Sequence, residues 1–562
     1  MAMGYKKRAF IVFLALFFVF SVNAMPPHPK NKNPSGRERT ENISNLEGPL
    51  YNSMMRSSPS RASGFSGEMH LLVILADFGA DIEKSHITGA PLVLTNGPNN
   101  KSGYIIPALL LIFLIIQILF KNKKRYMLLN LYLLIVLSCS NDSLNIPTGD
   151  PLDFKTSPNY FEQILDTHPN SSFLTMKKYW HDMSNGNLTL NFDIVGPVRV
   201  SKGWQYYGRN KKSGLDSYPA QFVGEAVHLV HSQGLVPDFS KYDNNNDGNV
   251  DTIIVIHAGS GEEFSNNSNE IWSHSWELNS GKSSGDGKGA IFLDGVWINR
   301  YTIQSEYNMS PGDASIGVFC HEFAHVLGLP DLYDTNSETL GVGSWSLMGT
   351  GSWGSYAGED PAPLLAWERS YLGESAWVET VSYSKTAQSI TGISGDIETS
   401  RKAYKIPLDS ANAATSSQYL LIEKKTYTLP YYPGDVPKNK FVPASGFLIT
   451  HINKNIINSY MNSNKINAGK NRAHGVNIVE ADGTNAGGKG LLWSTSENFN
   501  FTNYQNMIFT AGEKIQLPTE EGNDDNSPNS NYYINENASS KTGYSGIEIV
   551  ITSNNSFNIN IP

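Results

Sequence analysis

Apolar positions recur along this chain with two periods, and each period predicts a different element. Residues 69–78, MHLLVILADF, form a strand-length apolar run ending in an acidic turn, which predicts a buried central strand. From residue 158 the segments NYFEQILDT and SSFLTMKKYWHDMS carry helical spacing, the second with Ser171 or Ser172 as its candidate N-cap. Asn185-Gly186 then marks a turn into LTLNFDIVGPVRV, which alternates as a strand does. Residues 218–230 predict an amphipathic helix, TIIVIHAG a buried strand, and IWSHSWEL a further strand. Another helix is expected in GVFCHEFAHVLGLPDLYD, residues 317–334, ending at Gly328 because glycine suits a left-handed C-cap.

After Gly373 the helical signals fade. AYKIPLD, QYLLIEKK, GFLITHI, VNIVEA, GIEIVITS and FNINIP are short alternating or apolar runs between Asn, Gly, Ser and Pro turns. The whole pattern predicts an α+β chain. A domain of mixed sheet plus helices covers residues 69–373, and a β-rich, sandwich-like region over residues 374–562 packs on it or follows it.

Two apolar stretches stand outside this pattern. At the N-terminus Lys6-Lys7-Arg8 precede an apolar run over residues 9–22, which predicts a secretory signal peptide cleaved after Ala24. Residues 25–68, rich in Pro, Asn, Ser, Arg and Lys, then read as a linker or pro-segment. Residues 104–120 are almost wholly apolar, KNKKR follows, and a second apolar run over residues 127–137 leads to Cys139. Three readings compete there: a membrane hairpin, a lipoprotein signal cut at Cys139, and an insertion or gene-model join over about residues 95–150. The third is favoured. Export is expected in each case, with membrane association through residues 104–138, as a membrane-anchored protein or lipoprotein, the alternative to free secretion.

Composition narrows the chemistry. A net charge of −9, with no basic stripe, argues against nucleic acid as a partner. Only two cysteines are present, Cys139 and Cys320, so neither a disulfide framework nor a cysteine-based zinc site is available. A bound zinc ion would need His and carboxylate ligands. His321 and His325, at i and i+4, share one helix face and predict a zinc clamp, with Glu322 between them as general base for a metal-activated water. The turn after Gly328 places Asp331 as third ligand, with Asp334 as fallback. Met348, in GSWSLMGTGSWG, is expected to pack under the histidines as an apolar floor. Cys320 reads as a small buried residue. His257, His274 and His451 show no ligand spacing.

A second metal candidate lies in DNNNDGNVD. Asp243, Asn245, Asp247 and Asp251 alternate around Gly248 as calcium ligands would, although the twelfth position of an EF-hand loop holds Ile254 rather than Glu.

GVFCHEFAHVLGLPDLYD, WSLMGTGSW and PLLAWERSYLG together resemble the M6 family of metallopeptidases, the immune inhibitor A-like group near the metzincins. LLVILADF, YDNNNDGNVDTIIVIHAG, IWSHSW, QYLLIEKK, SGFLITHI and HGVNIVEADG extend the likeness over most of the chain from residue 69, apart from residues near 95–150. The resemblance implies a metzincin-like zinc endopeptidase that is secreted, acts on protein or peptide substrates and usually carries calcium. On this chain it implies His321 and His325 as ligands, Glu322 as base and Met348 as the turn residue. Asp331 departs from the third histidine of many metzincins. A surface adhesin with an inactive metal site is the rival class, and the intact His-Glu-His set argues against it.

Overall fold

The computed structural model describes residues 66–79, then 151–479 apart from gaps at 172, 213–214, 337, 355–357, 384–386, 394–396, 409–415, 426–445 and 470–473, and beyond these 508, 510–511, 514–516 and 548–560. The expected signal peptide, residues 25–65 of the expected linker and the apolar runs of residues 104–138 lie outside the described residues, while Gly67 and Glu68, expected in the linker, already belong to a strand that runs to Asp77. Among those described, no helix is long and apolar enough to cross a membrane.

The first sheet is built from β1 (Gly67–Asp77), β2 (Leu188–Arg199), β3 (Ile253–Ser260), β4 (His274–Glu277) and, after a hairpin of β5 (Ile291–Leu293) and β6 (Val296–Ile298), β7 (Arg300–Tyr307). Its order is β2-β1-β3-β7-β4, parallel except for the antiparallel edge strand β4. β1 is paired on both sides and wholly buried from Leu71 to Ala76, as its unbroken apolar run requires. Its side chains alternate between two cores. Leu71, Val73 and Leu75 enter one cluster, and Leu72, Ile74 and Ala76 the other.

Helices cover both faces. α1 (Pro158–Leu165) and α2 (Met176–Met183) lie with the first cluster, and α3 (Pro219–Ser232) with the second. α4 (Ile316–Val326) also faces the first cluster, through Ile316, Phe319, Cys320 and Phe323. The cap of α2 differs from the one expected. Residue 173 is still in a turn, closed by its amide on the Asn170 carbonyl, so the helix begins later. Its N-cap is Thr175, whose hydroxyl accepts from the Lys178 amide, not Ser171 or Ser172.

Phe78 and Leu152 exchange two backbone hydrogen bonds, so the chain leaves β1 and re-enters the fold at the same strand end. Two acidic side chains secure the returning segment. Asp77 accepts from the Phe154 amide, and Glu306 accepts from the amides of Lys155, Thr156 and Gly259. A sequence pattern would place neither role, because acids at buried strand ends look like interruptions.

α5 (Ala366–Gly373) leads into β8 (Glu379–Ser382), β9 (Gln388–Ile390), β10 (Lys402–Pro407), β11 (Gln418–Lys425), β12 (Gly446–Asn453), a short helix α6 (Lys454–Tyr460), β13 (Val476–Val479), β14 (Lys514–Gln516), β15 (Glu548–Ser553) and β16 (Ser556–Asn560). They form a five-stranded sheet, β13-β12-β11-β10-β8, and a four-stranded one, β14-β15-β16-β9. The five-stranded sheet buries both faces. Leu420, Ile422, Phe447 and Ile449 meet Ile549, Ile551, Phe557 and Ile559 of the other sheet. Leu421, Leu448, Ile452 and Val476 instead join the cluster that holds α4. One core therefore runs on through residue 373.

Candidate metal centre

α4 carries the chemistry because almost its whole length is buried. At its start Gly317 allows the 350–353 turn to approach: a Cβ there would lie 1.9 Å from the Ser352 carbonyl oxygen. At its end Gly328 has φ +99, its amide donates to the His325 carbonyl, and the Leu329 amide reaches back to Ala324. This turn also orients a ring, since His325 Nδ1–H donates to the Leu329 carbonyl at 2.8 Å. His321 Nδ1–H donates to the Leu347 carbonyl at 2.9 Å. The two rings stand perpendicular, 4.9 Å apart.

Both remaining nitrogens aim at one oxygen. Asp331 Oδ1 lies 3.2 Å from His321 Nε2 and 3.3 Å from His325 Nε2. Among the described residues this trio is the one His/Cys/Asp/Glu group whose ligand atoms all lie within 4.8 Å of one another. Asp331 Oδ1 is buried and accepts no hydrogen bond, which follows if both Nδ1 atoms carry the protons. Two Nε2 atoms and one carboxylate oxygen thus converge on one point, and a cation fits that arrangement. In the metal-free site the carboxylate draws positive charge onto the imidazoles as a proton, which a bound cation would displace. Burial works against a charge on His325, yet the Asp331 carboxylate overrides it and lifts the imidazole to about 9. Burial likewise opposes ionisation of Asp331, and the two imidazoles hold it well below the usual carboxylate range. Two imidazoles and one carboxylate oxygen suit zinc, with a coordination position left for water.

Glu322 lies beside the first histidine on the same helix and is 4% exposed. A second buried acid, Glu263, is close enough for the Glu322 charge to act on it. Its carboxylate accepts the Ser273 amide and hydroxyl, and burial pushes it up to about 7. Spacing gave no hint of Glu263, which stands on a four-residue helix, Glu262–Ser265.

Met348 is fully buried, and its carbonyl accepts the Leu332 amide at 2.8 Å, joining its turn to the stretch that carries Asp331. The turn is held from below. Ser346 Oγ accepts the Met348 amide and donates to Glu368 Oε1 at 2.7 Å, while Glu368 Oε2 accepts the Leu365 amide. Burial raises Glu368 to about 7, against the lowering effect of those hydrogen bonds. The folded state therefore keeps a proton that the unfolded chain, with its value near 4.5, has lost. Stability from this group is full below about pH 4.5 and falls as pH rises to about 7. Urea melts of metal-free Glu368→Gln should thus gain about 3 kcal/mol relative to the native chain across that window. Stability curves that stay parallel would refute the assignment.

The other candidates are accounted for by their partners. Asp334 accepts from Asn336, Glu338, Thr339 and Gly469, so its oxygens close a turn and do not join the trio. Cys320 is buried in the core, and burial pushes its thiol well above its ordinary value. His257 donates to the Ala258 carbonyl, His274 to that of Trp272, and His451 to the Gln418 side chain.

The DNNNDGNVD segment is a hydrogen-bonded loop. Asp243 accepts from the amides of Asp247 and Gly248, Asn245 from Asp247, and Asp247 from Asn249. Asp251 accepts the backbone and side-chain N–H groups of Asn244, which in turn grips both backbone polar groups of His70 on β1. Asp243, Asp247 and Asp251 do not converge as the zinc-type trio does.

Over residues 157–377 the chain matches the family described as immune inhibitor A peptidase M6, catalytic domain. It is 30% identical over 249 residues to the pre-pro-metalloprotease PrtV of Vibrio cholerae serotype O1 (strain M66-2), covering 39% of this chain and 26% of that protein. It is 28% identical over 257 residues to immune inhibitor A of Bacillus thuringiensis subsp. alesti, covering 41% of this chain and 37% of that protein. The matched part thus spans between about a quarter and somewhat over a third of these relatives' length.

Proposed function

We propose that this chain, which carries an M6 metallopeptidase catalytic domain at residues 157–377, is a zinc-dependent endopeptidase acting on protein substrates. The observation that carries the reading is the convergence of His321 Nε2, His325 Nε2 and Asp331 Oδ1 beside Glu322 on one buried helix. A zinc ion bound there supplies Lewis acidity, lowering the pKa of water towards about 7 and polarising a carbonyl.

The chain's own groups do the rest. Leu347 and Leu329 hold the two imidazoles with Nδ1 protonated, so both Nε2 lone pairs stay directed at the metal position. Glu322 takes a proton from the water as its oxygen bonds to the peptide carbonyl carbon. It returns that proton to the amine nitrogen as the C–N bond breaks. The metzincin-like reading is supported by the Gly328 turn, by Asp331 and by the Met348 turn joined to its stretch. The test is casein hydrolysis by the full chain, which chelator should abolish and added zinc restore. Cleavage that survives complete metal removal would sink the proposal.

Two further parts of this reading rest on sequence. Export is supported by the basic-then-apolar pattern of residues 1–24, and mass spectrometry of the mature N-terminus distinguishes cleavage after Ala24 from cleavage at Cys139 or none. Calcium at Asp243, Asn245, Asp247 and Asp251 is supported by the alternation of oxygen-bearing side chains around Gly248, which sits at φ +86. Micromolar to millimolar calcium should then raise the melting temperature of the zinc-loaded chain. An unmoved midpoint would leave the loop as a self-bonded turn.

A further inference from the structure

The third ligand of the zinc-type trio is held by a residue far along the chain. Asp331 and Asn464 make a two-way contact: the Asp331 amide donates to Asn464 Oδ1 at 2.7 Å, and Asn464 Nδ2–H donates to Asp331 Oδ2 at 2.6 Å. The backbone amide fixes which end of the Asn464 side chain is oxygen, because an N–H donor must face an acceptor. The NH2 group is then left for the carboxylate.

This contact settles which oxygen faces the imidazoles. A carboxylate rotates about its last torsion and can present either oxygen, or both. With Oδ2 tied to Asn464, Oδ1 alone remains for the histidines, and it is the atom left without a hydrogen bond. Asn464 itself sits at φ +54, a left-handed conformation that asparagine tolerates better than most residues. The neighbouring residues reinforce the contact. Asn467 Nδ2–H donates to the Leu332 carbonyl, and the Gly469 amide donates to Asp334. A strip of the C-terminal region, residues 464–469, is thereby fastened along the stretch that carries the third ligand.

We propose that Asn464 is the positioning residue for the Asp331 carboxylate, so that high metal affinity requires the C-terminal region to be docked on the catalytic part. This rests on the zinc reading above. Orienting groups of this kind change metal affinity by about 10–100-fold when removed.

The test compares the full chain with Asn464→Gly and Asn464→Asp. Glycine retains the positive φ and deletes both hydrogen bonds. Aspartate keeps the oxygen facing the Asp331 amide but sets a second carboxylate oxygen against Asp331 Oδ2. Zinc affinity is read by competition with a chromophoric chelator, at a temperature where circular dichroism shows each variant folded, so stability loss does not enter. Affinity should fall about 10–100-fold, and the visible absorption of the cobalt-loaded variants should shift as Asp331 presents either oxygen. Native affinity and an unchanged cobalt spectrum in folded Asn464→Gly would overturn the role of Asn464. If the native chain binds no zinc, or His325→Ala binds it as tightly as the native chain does, the zinc reading itself falls instead.

Discussion

Replacing Glu322 with Ala should lower casein hydrolysis by about 10²–10⁴-fold while the chain still takes up zinc. The two halves of this expectation have separate causes. The loss arises because no other group on α4 can receive the water proton: His321 and His325 direct their Nε2 atoms at Asp331 and donate through Nδ1 to carbonyls. Retention of metal follows because all three donors survive the substitution. The Glu322 charge does favour the cationic form of His325, so a modest fall in zinc affinity should accompany the change. Removing a buried acid that acts on Glu263 also relieves like-charge repulsion, so loss of fold is not expected. Unchanged turnover at full zinc occupancy would remove Glu322 from the mechanism.

Ending the chain after Gly373 should have a larger effect on folding than any single substitution. The catalytic part and the β10–β13 sheet share one core, to which Leu421, Leu448, Ile452, Ile466, Val476 and Ile478 contribute as fully or nearly fully buried side chains. Burial of each is worth about 1.5–3 kcal/mol, so together they reach the size of a whole domain's stability, about 5–15 kcal/mol. Buried polar contacts would break as well. The Ala366 amide donates to Glu423 on β11, and Asp331, Leu332 and Asp334 each accept or exchange hydrogen bonds with residues 464–469. A chain ending at residue 373 should therefore show no cooperative thermal transition and no zinc uptake. A sharp transition close to that of the full chain would show that the catalytic part stands alone.

Much of the fold could be read before any tertiary contact was known. The run MHLLVILADF lies inside a parallel sheet because an unbroken apolar strand can be satisfied only with both faces covered. The helix at residues 316–326 and the turn at Gly328 follow from local spacing and from one residue's tolerance of positive φ. Features with weak local signal were missed or misplaced. The cap of α2 moved to Thr175 because a turn precedes it. α6 is seven residues long and mostly polar, too short to show a period among the strands around it.

The sequence by itself determined that two imidazoles and a carboxylate, His321, His325 and Glu322, share one helix, with a glycine to end it and an aspartate just beyond. Those relations are local, and a helix has a fixed repeat. Only the tertiary structure decided that Asp331 presents a single oxygen, held by Asn464, and that Glu263 lies within electrostatic reach of Glu322. It also decided that Glu368 supports the Met348 turn through Ser346. Each of these joins residues whose separation along the chain carries no period, so the contact exists only once the sheets and helices have packed.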